Sequence, residues 1–215
     1  MKTEVLISQL SQDVQPVPRE TLPRLLRAGL VAGGGAALFF VLVAPALGVR
    51  ADLGVAAMTA SFWIKLLYTV SIAGLAFTAL ERLSRPGGPA FSWMGLLWPP
   101  VTALAAIAAM TWRLLPGAEA ETFWMGSSSW QCLVFVTALA VPVFAGLVWA
   151  LSQLAPTRLR AAGAAAGLVA GATSASVYAL HCAETSPGFV LLWYSLALAV
   201  AALLGAALGP RLLRW

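Results

Sequence analysis

Residues 132–154 read CLVFVTALAVPVFAGLVWALSQL, from Cys132 to Leu154 without one charged side chain. A run of this length and polarity fits the ~20 residues that an α-helix needs to cross a bilayer. The apolar residues are continuous and do not alternate, so a membrane helix and not a barrel strand is the reading. Outward from it, five further stretches of the same kind lie at about 26–47, 59–80, 94–115, 161–180 and 188–208. Across 215 residues, 60% are hydrophobic and 10% charged, against roughly 45–50% and 25% in soluble domains. Mean hydropathy is +0.87, and an ordinary globular enzyme is excluded. The predicted fold class is an all-α integral membrane protein. A six-transmembrane-helix bundle fills residues 26–215, after a short amphipathic tail at residues 1–25. The tail is mostly polar, so no cleaved signal peptide is expected.

Basic residues set the orientation. If the N-terminus is cytoplasmic, so are Lys2, Arg19, Arg24, Arg27, Arg82, Arg85, Arg158, Arg160, Arg211 and Arg214. The opposite side receives only Arg50 and Arg113, and Lys65 lies within the second span. Both termini are therefore predicted inside, an N-in/C-in arrangement. The net charge of +5 is chiefly this orientation signal, with a contact to anionic lipid as a further use. It is poor evidence for nucleic acid, and no direct nucleic-acid partner is expected. Trp63, Trp112, Trp124 and Trp130 near outer ends, with Trp93, Trp149 and Trp215 near inner ends, fit two interfacial belts.

Glycines recur at four-residue spacing in the pairs Gly29/Gly33 and Gly205/Gly209 and the series Gly163, Gly167 and Gly171. Such faces let neighbouring backbones approach closely, and their reading is packing, not chemistry. Pro142 in the fourth span and Pro99-Pro100 early in the third predict a kink or a late helix start.

A few polar residues stand out from this background. Lys65 lies inside the outer end of the second span, where an ammonium needs a partner carboxylate or must snorkel outward. Asp52, Glu119, Glu121 and Glu184 are the outer-side partners on offer. Cys132 opens the fourth span and Cys182 closes the fifth. These helices run in opposite directions, so both sulfurs are expected at the outer membrane–water interface, where an oxidising periplasm permits a disulfide. Such a bond would contribute at most roughly 4 kcal/mol on the chain-entropy account. A permanent bridge and a switchable pair share this signature. Around Cys182 the chain reads His181-Cys182-Ala183-Glu184-Thr185-Ser186-Pro187. A neighbouring imidazolium raises thiolate reactivity. Cys132, Cys182 and His181 also form a soft-metal donor set, although their spacing is no standard zinc motif. No cofactor is required, and a transient soft or heavy metal ion is the one ligand class this set would take. No nucleophile triad, HExxH motif or phosphate loop is present in the sequence, so no enzyme is expected.

The tail begins MKTEVLISQLSQDV, residues 1–14. Thr3 suits a cap, Glu4 the first turn, and Pro16 and Pro18 the stop. Leu6, Leu10 and Val14 share one face of a helix, with Ile7 alongside. Residues 1–20 contain Lys2 and Arg19 against Glu4, Asp13 and Glu20, a balance wrong for a basic membrane-surface helix. The stripe suits a peptide that folds into a partner's groove.

Together these features resemble the NrsF-type six-span bacterial anti-sigma factors, negative regulators of an extracytoplasmic-function sigma factor. The match is carried by Met1–Ile7 with Leu10, by Phe62-Trp63-Ile64-Lys65-Leu66, by Cys132, and by His181–Pro187 continuing into Phe189 and Trp193-Tyr194. The resemblance implies that the cytoplasmic tail sequesters the sigma factor and that Cys132 and Cys182 are sensor thiols for oxidative or heavy-metal stress. His181, Glu184 and Lys65 would support the sensor site, in a bacterial inner membrane. Leu6, Ile7, Leu10 and Val14 are the nominated sigma-binding stripe. The rival readings are a small transporter or channel, to be recognised by flux, and a thiol redox partner, to be recognised by a trapped mixed disulfide. Polar sites near the midplane would favour the first and a CxxC motif the second; the sequence is thin in the one and lacks the other.

Overall fold

The computed structural model describes residues 3–12, 18, 20–45, 47–85, 93–115 and 120–214, all helix or connecting loop. A short helix α1 (Thr3–Gln12) is followed by α2 (Thr21–Val43), a turn of helix α3 (Leu53–Ala56) and α4 (Ala60–Leu83). A 3₁₀ turn at Trp93–Leu97 leads into α5 (Trp98–Leu114), then come α6 (Ala120–Met125), α7 (Ser129–Ser152) and α8 (Leu159–Tyr178). The last span is composite: α9 (Pro187–Phe189), a π-turn at Val190–Tyr194, and α10 (Ser195–Leu212). Six helices are long and apolar enough to cross a membrane, as the apolar stretches of the sequence require. The chain is a multi-pass membrane protein.

Local chemistry explains where the ends fall. The first long helix begins at Thr21, earlier than residue 26, because Leu22, Leu25 and Leu26 already pack into the core while Arg24 and Arg27 face outward. It ends at Val43 because Ala44, which precedes Pro45, is extended at ψ 130°, as a residue before proline prefers. Pro99 and Pro100 sit in the first turn of α5, where their missing N–H groups cost nothing. They mark a late start. Pro142 stays inside α7.

Helix α8 is the axis of the bundle. Its span is 72% buried, against 11% for the Met94–Leu114 span, and α2, α4, α7 and α10 all pack on it. Glycine makes this crowding feasible. A Cβ at Gly163 would collide with the Gly205 carbonyl, one at Gly205 with the Gly163 carbonyl, and one at Gly167 with the Ala201 carbonyl. The same occurs between α2 and α7, where Gly29 and Gly146 would each strike the other's carbonyl oxygen. Gly33 lies over Pro142, whose carbonyl oxygen a Cβ would meet at 2.6 Å. Away from these seams the surface is apolar, with Phe39, Met110, Val141 and Leu203 well exposed, as lipid-facing helices should be.

The contacts at Gly163 and Gly205 are to backbone, which cannot rotate away. Gly205→Ala should therefore destabilise the bundle by about 1–3 kcal/mol, read as thermal unfolding in mild detergent. Gly35→Ala, where a Cβ meets nothing, should stay within about 0.5 kcal/mol of the parent.

Candidate functional site

The sequence places both cysteines at one end of the bundle, and the structure sets them there but inside. Cys132 lies in the first turn of α7 and is 0% exposed; Cys182, four residues past α8, is 3% exposed. Both are free thiols. They belong to one buried cluster with Tyr178, Phe189, Val190 and Tyr194. Both side chains are therefore buried in the protein, and the segment 179–186 crosses to the turn before α7, where Glu184 meets Ser127 and Ser128. Thiol chemistry depends on access as well as on charge. Here access is controlled by how that segment is held.

It is held residue by residue. Lys65, 1% exposed on α4, donates from Nζ to the carbonyl oxygens of Cys182 and Glu184, both at 2.9 Å. The Tyr194 ring lies beneath the ammonium, 5.7 Å away at its centroid, close enough for a cation–π attraction. Lys65 is buried and does not snorkel, and among the described residues it bonds no carboxylate oxygen; two main-chain carbonyls take that place, and charge-assisted bonds of this kind are the strong ones. Of the carboxylates on offer, Glu119 lies outside the described residues.

The other contacts complete the clamp. His181 is half-buried, its Nδ1 2.8 Å from the Gly48 carbonyl oxygen, which makes Nδ1 the protonated nitrogen. Its ring packs near Tyr178 and Phe135. The Glu184 carboxylate accepts from Ser127 N and Ser127 Oγ, each at 2.7 Å, and from Ser128 Oγ at 3.4 Å. Gly126 makes that turn feasible. Its φ is +57°, and a Cβ there would lie 2.6 Å from the Phe189 ring and 2.9 Å from Glu184 Cδ. Beyond Glu184, Ser186 Oγ donates to the Phe123 carbonyl at 2.7 Å and Trp193 Nε1 to that of Trp124 at 3.0 Å.

From the far side, Arg50 N donates to the Leu180 carbonyl at 3.0 Å and its Nη1 to that of Cys182 at 3.4 Å. The same guanidinium grips Asp52 through two bonds of 2.7 and 2.6 Å. Hydrogen bonding to Arg50 holds the Asp52 carboxyl below its ordinary value, and the same bond raises Arg50. A depressed carboxyl pKa favours the folded state above the usual carboxylate range. That contribution disappears as pH falls through the lowered value.

An open cleft of about 450 Å³ runs beside this segment, lined by Gln131, Phe135, Tyr178, His181, Cys182 and Glu184 among others. Cys182 lines this cleft and Cys132 does not. Among the described residues, no group of three or more His, Cys, Asp or Glu is arranged to hold a metal ion. Leu6, Ile7 and Leu10 lie in α1, with Ile7 60% exposed, and Val14 lies outside the described residues.

Sequence reasoning missed Arg50, Ser127, Ser128 and Tyr194 as parts of the site. The Gly126-Ser127-Ser128-Ser129 run was a turn signal whose N–H groups could meet a carboxylate. Lys65, Tyr68 and Thr69 are spaced as one helix face; Tyr68 Oη bonds Ser195 Oγ at 2.6 Å and Thr69 Oγ1 accepts from Ser176 Oγ at 2.9 Å.

Residues 10–215 match the family described as "NrsF: Negative regulator of sigma F". The chain belongs to this family. Among its relatives, the "Probable anti-sigma-F factor NrsF" of Azospira oryzae is 39% identical over 216 residues, and the "Anti-sigma-F factor NrsF" of Caulobacter vibrioides 37% over 218. Each alignment covers 100% of both chains. The NrsF relatives are regulators by description, not enzymes. No solved structure matches the chain.

If Lys65 holds the segment over Cys182, Lys65→Met should strip the Glu184 carbonyl of this donor, leave that of Cys182 with only the 3.4 Å bond from Arg50, and lower stability by about 1–3 kcal/mol. It should also speed maleimide labelling of Cys182 well before unfolding, measured by mass shift over time. Glu184→Ala should accelerate the same labelling.

Proposed function

We propose that this protein is a membrane-bound anti-sigma factor. Its N-terminal tail, residues 1–25, sequesters an extracytoplasmic-function sigma factor, and the membrane domain, residues 26–215, regulates release. The observation that carries the reading is end-to-end similarity to two proteins named as anti-sigma-F factors. The basic residues support an inner-membrane protein with both termini cytoplasmic. That arrangement puts the tail where a sigma factor is and the cysteines toward the periplasm. The sigma factor and the bilayer are the partners, with no direct contact to nucleic acid.

Leu6, Ile7, Leu10 and Val14 form the docking stripe. A ten-residue helix is marginal alone in water, so the tail gains order when the stripe enters the sigma factor's groove. In the resting state the tail holds its partner away from RNA polymerase. The signal is a soft metal ion or an oxidant reaching Cys182 and then Cys132. Oxidation to a disulfide forms one S–S bond and passes two electrons and two protons to the oxidant; metal capture by both thiols releases two protons. Either change requires the clamped segment to repack. A 100-fold loss of sigma affinity corresponds to a coupling of only ~2.7 kcal/mol. His181, Glu184 and Lys65 act as supports of the site, setting how readily it opens.

The test is co-purification from the native host in mild detergent. Full-length protein should bring down a sigma factor, and a version lacking residues 1–20 should not; equal recovery of a sigma factor, or none with either, contradicts the reading. Leu6→Asp with Leu10→Asp should reduce co-purification at least 100-fold while the protein still inserts. Cys132→Ser and Cys182→Ser should each retain the sigma factor but fail to release it on oxidant or cadmium. Normal release in both would remove the thiols from the mechanism.

A further inference from the structure

At the end of the bundle opposite the cysteines, α8 begins and α10 finishes. Glycine packing brings those ends nearly into backbone contact: a Cβ at Gly209 would strike the Leu159 carbonyl. The sequence then places Arg160 in the first turn of α8, Arg211 in the last turn of α10 and Arg214 just beyond it. All three are exposed, and all three line one cleft of about 460 Å³. No Asp or Glu lines it, and among the described residues none of these arginines is in an ion pair.

Two features separate this cleft from basic residues that serve only to orient the chain. Orientation requires charge in the loops, whereas here three arginines of like charge line one cavity whose lining holds no acidic residue. Arg160 moreover stands at the positive end of a helix dipole, where a cation is disfavoured. An anion relieves both. The second feature is the floor, formed by Leu203, Ala207 and Pro210, with Leu203 70% exposed on the lipid-facing side of α10. A cationic rim over an apolar floor that continues along a membrane helix complements a molecule with a phosphate at one end and hydrocarbon at the other. Arginine is well suited to the phosphate, because its fork matches two oxygens at once.

We propose that this cleft is a binding site for an anionic phospholipid, with the phosphodiester between Arg160, Arg211 and Arg214 and an acyl chain along Leu203. Basic pockets between membrane helices recognise lipid headgroups in this way. The site stands independently of the sigma-factor reading.

The experiment is native mass spectrometry of the full-length protein in detergent, titrated with phosphatidylglycerol or with phosphatidylcholine of the same acyl chains. Phosphatidylglycerol should bind roughly 10-fold or more tightly than phosphatidylcholine, as expected for several basic residues at a headgroup. Inorganic phosphate at the lipid's concentration should not displace it. The combined variant Arg160→Gln, Arg211→Gln, Arg214→Gln should lose the preference. Its lysine counterpart should keep most of it, and Arg113→Gln, at the other end, all of it. Arg214→Gln alone, beyond the end of α10, should weaken the preference without bearing on folding of the helix. Equal binding of the two lipids, or a preference untouched by the glutamine variants, would overturn the proposal. Displacement by inorganic phosphate would also overturn it, by making the cleft an anion site without a lipid.

Discussion

One buried ammonium organises the cysteine end of this protein. Lys65 Nζ reaches from α4 to the carbonyl oxygens of Cys182 and Glu184, and the rest of the segment after α8 is arranged around that anchor. With those carbonyls fixed, the Glu184 side chain is free to turn to Ser127 and Ser128, and His181 to Gly48. A lysine in an apolar bundle costs a few kcal/mol on insertion scales. The carbonyls of Cys182 and Glu184 lie in the loop beyond α8, outside any helical ladder, and buried main-chain acceptors need donors, so each group supplies what the other lacks. The result is a segment tied to α4, to the loop before α3 and to the turn between α6 and α7. That bridge buries both thiols.

Helix packing makes the anchor feasible. Lys65 meets the segment only because α4 lies against α8, and α8 can lie at the centre only because glycine lines its seam with α10. The π-turn at Val190–Tyr194 adds one more adjustment, placing Tyr194 fully buried beneath the ammonium. Turns of this kind recur where a helix has been adapted to a site.

Much of this architecture was legible in the sequence. The six spans followed from continuous apolar runs, and Gly29, Gly33, Gly163 and Gly205 announced the close seams through their spacing. The shared end of Cys132 and Cys182 followed from antiparallel neighbours. Their burial did not, because it depends on the path of a loop, and loops carry no periodicity. Lys65 was conspicuous, yet its partners were invisible: every residue has a carbonyl, so a lysine that bonds backbone leaves no mark on residue identity. The same holds for Ser127 N, which binds Glu184 through a main-chain donor. The short helices α3 and α6 fall below the length at which pattern separates helix from loop.

In the proposed mechanism, chemistry at the buried thiols reaches the tail across the membrane. The most direct test uses sealed vesicles holding the protein with its sigma factor on the tail side. A membrane-impermeant thiol oxidant is added to one face at a time, and sigma release is followed by fluorescence. Release only when the oxidant is on the face opposite the tail, and none in Cys132→Ser, is the predicted result. Release only from the tail side, or at the same rate without Cys132, would contradict it.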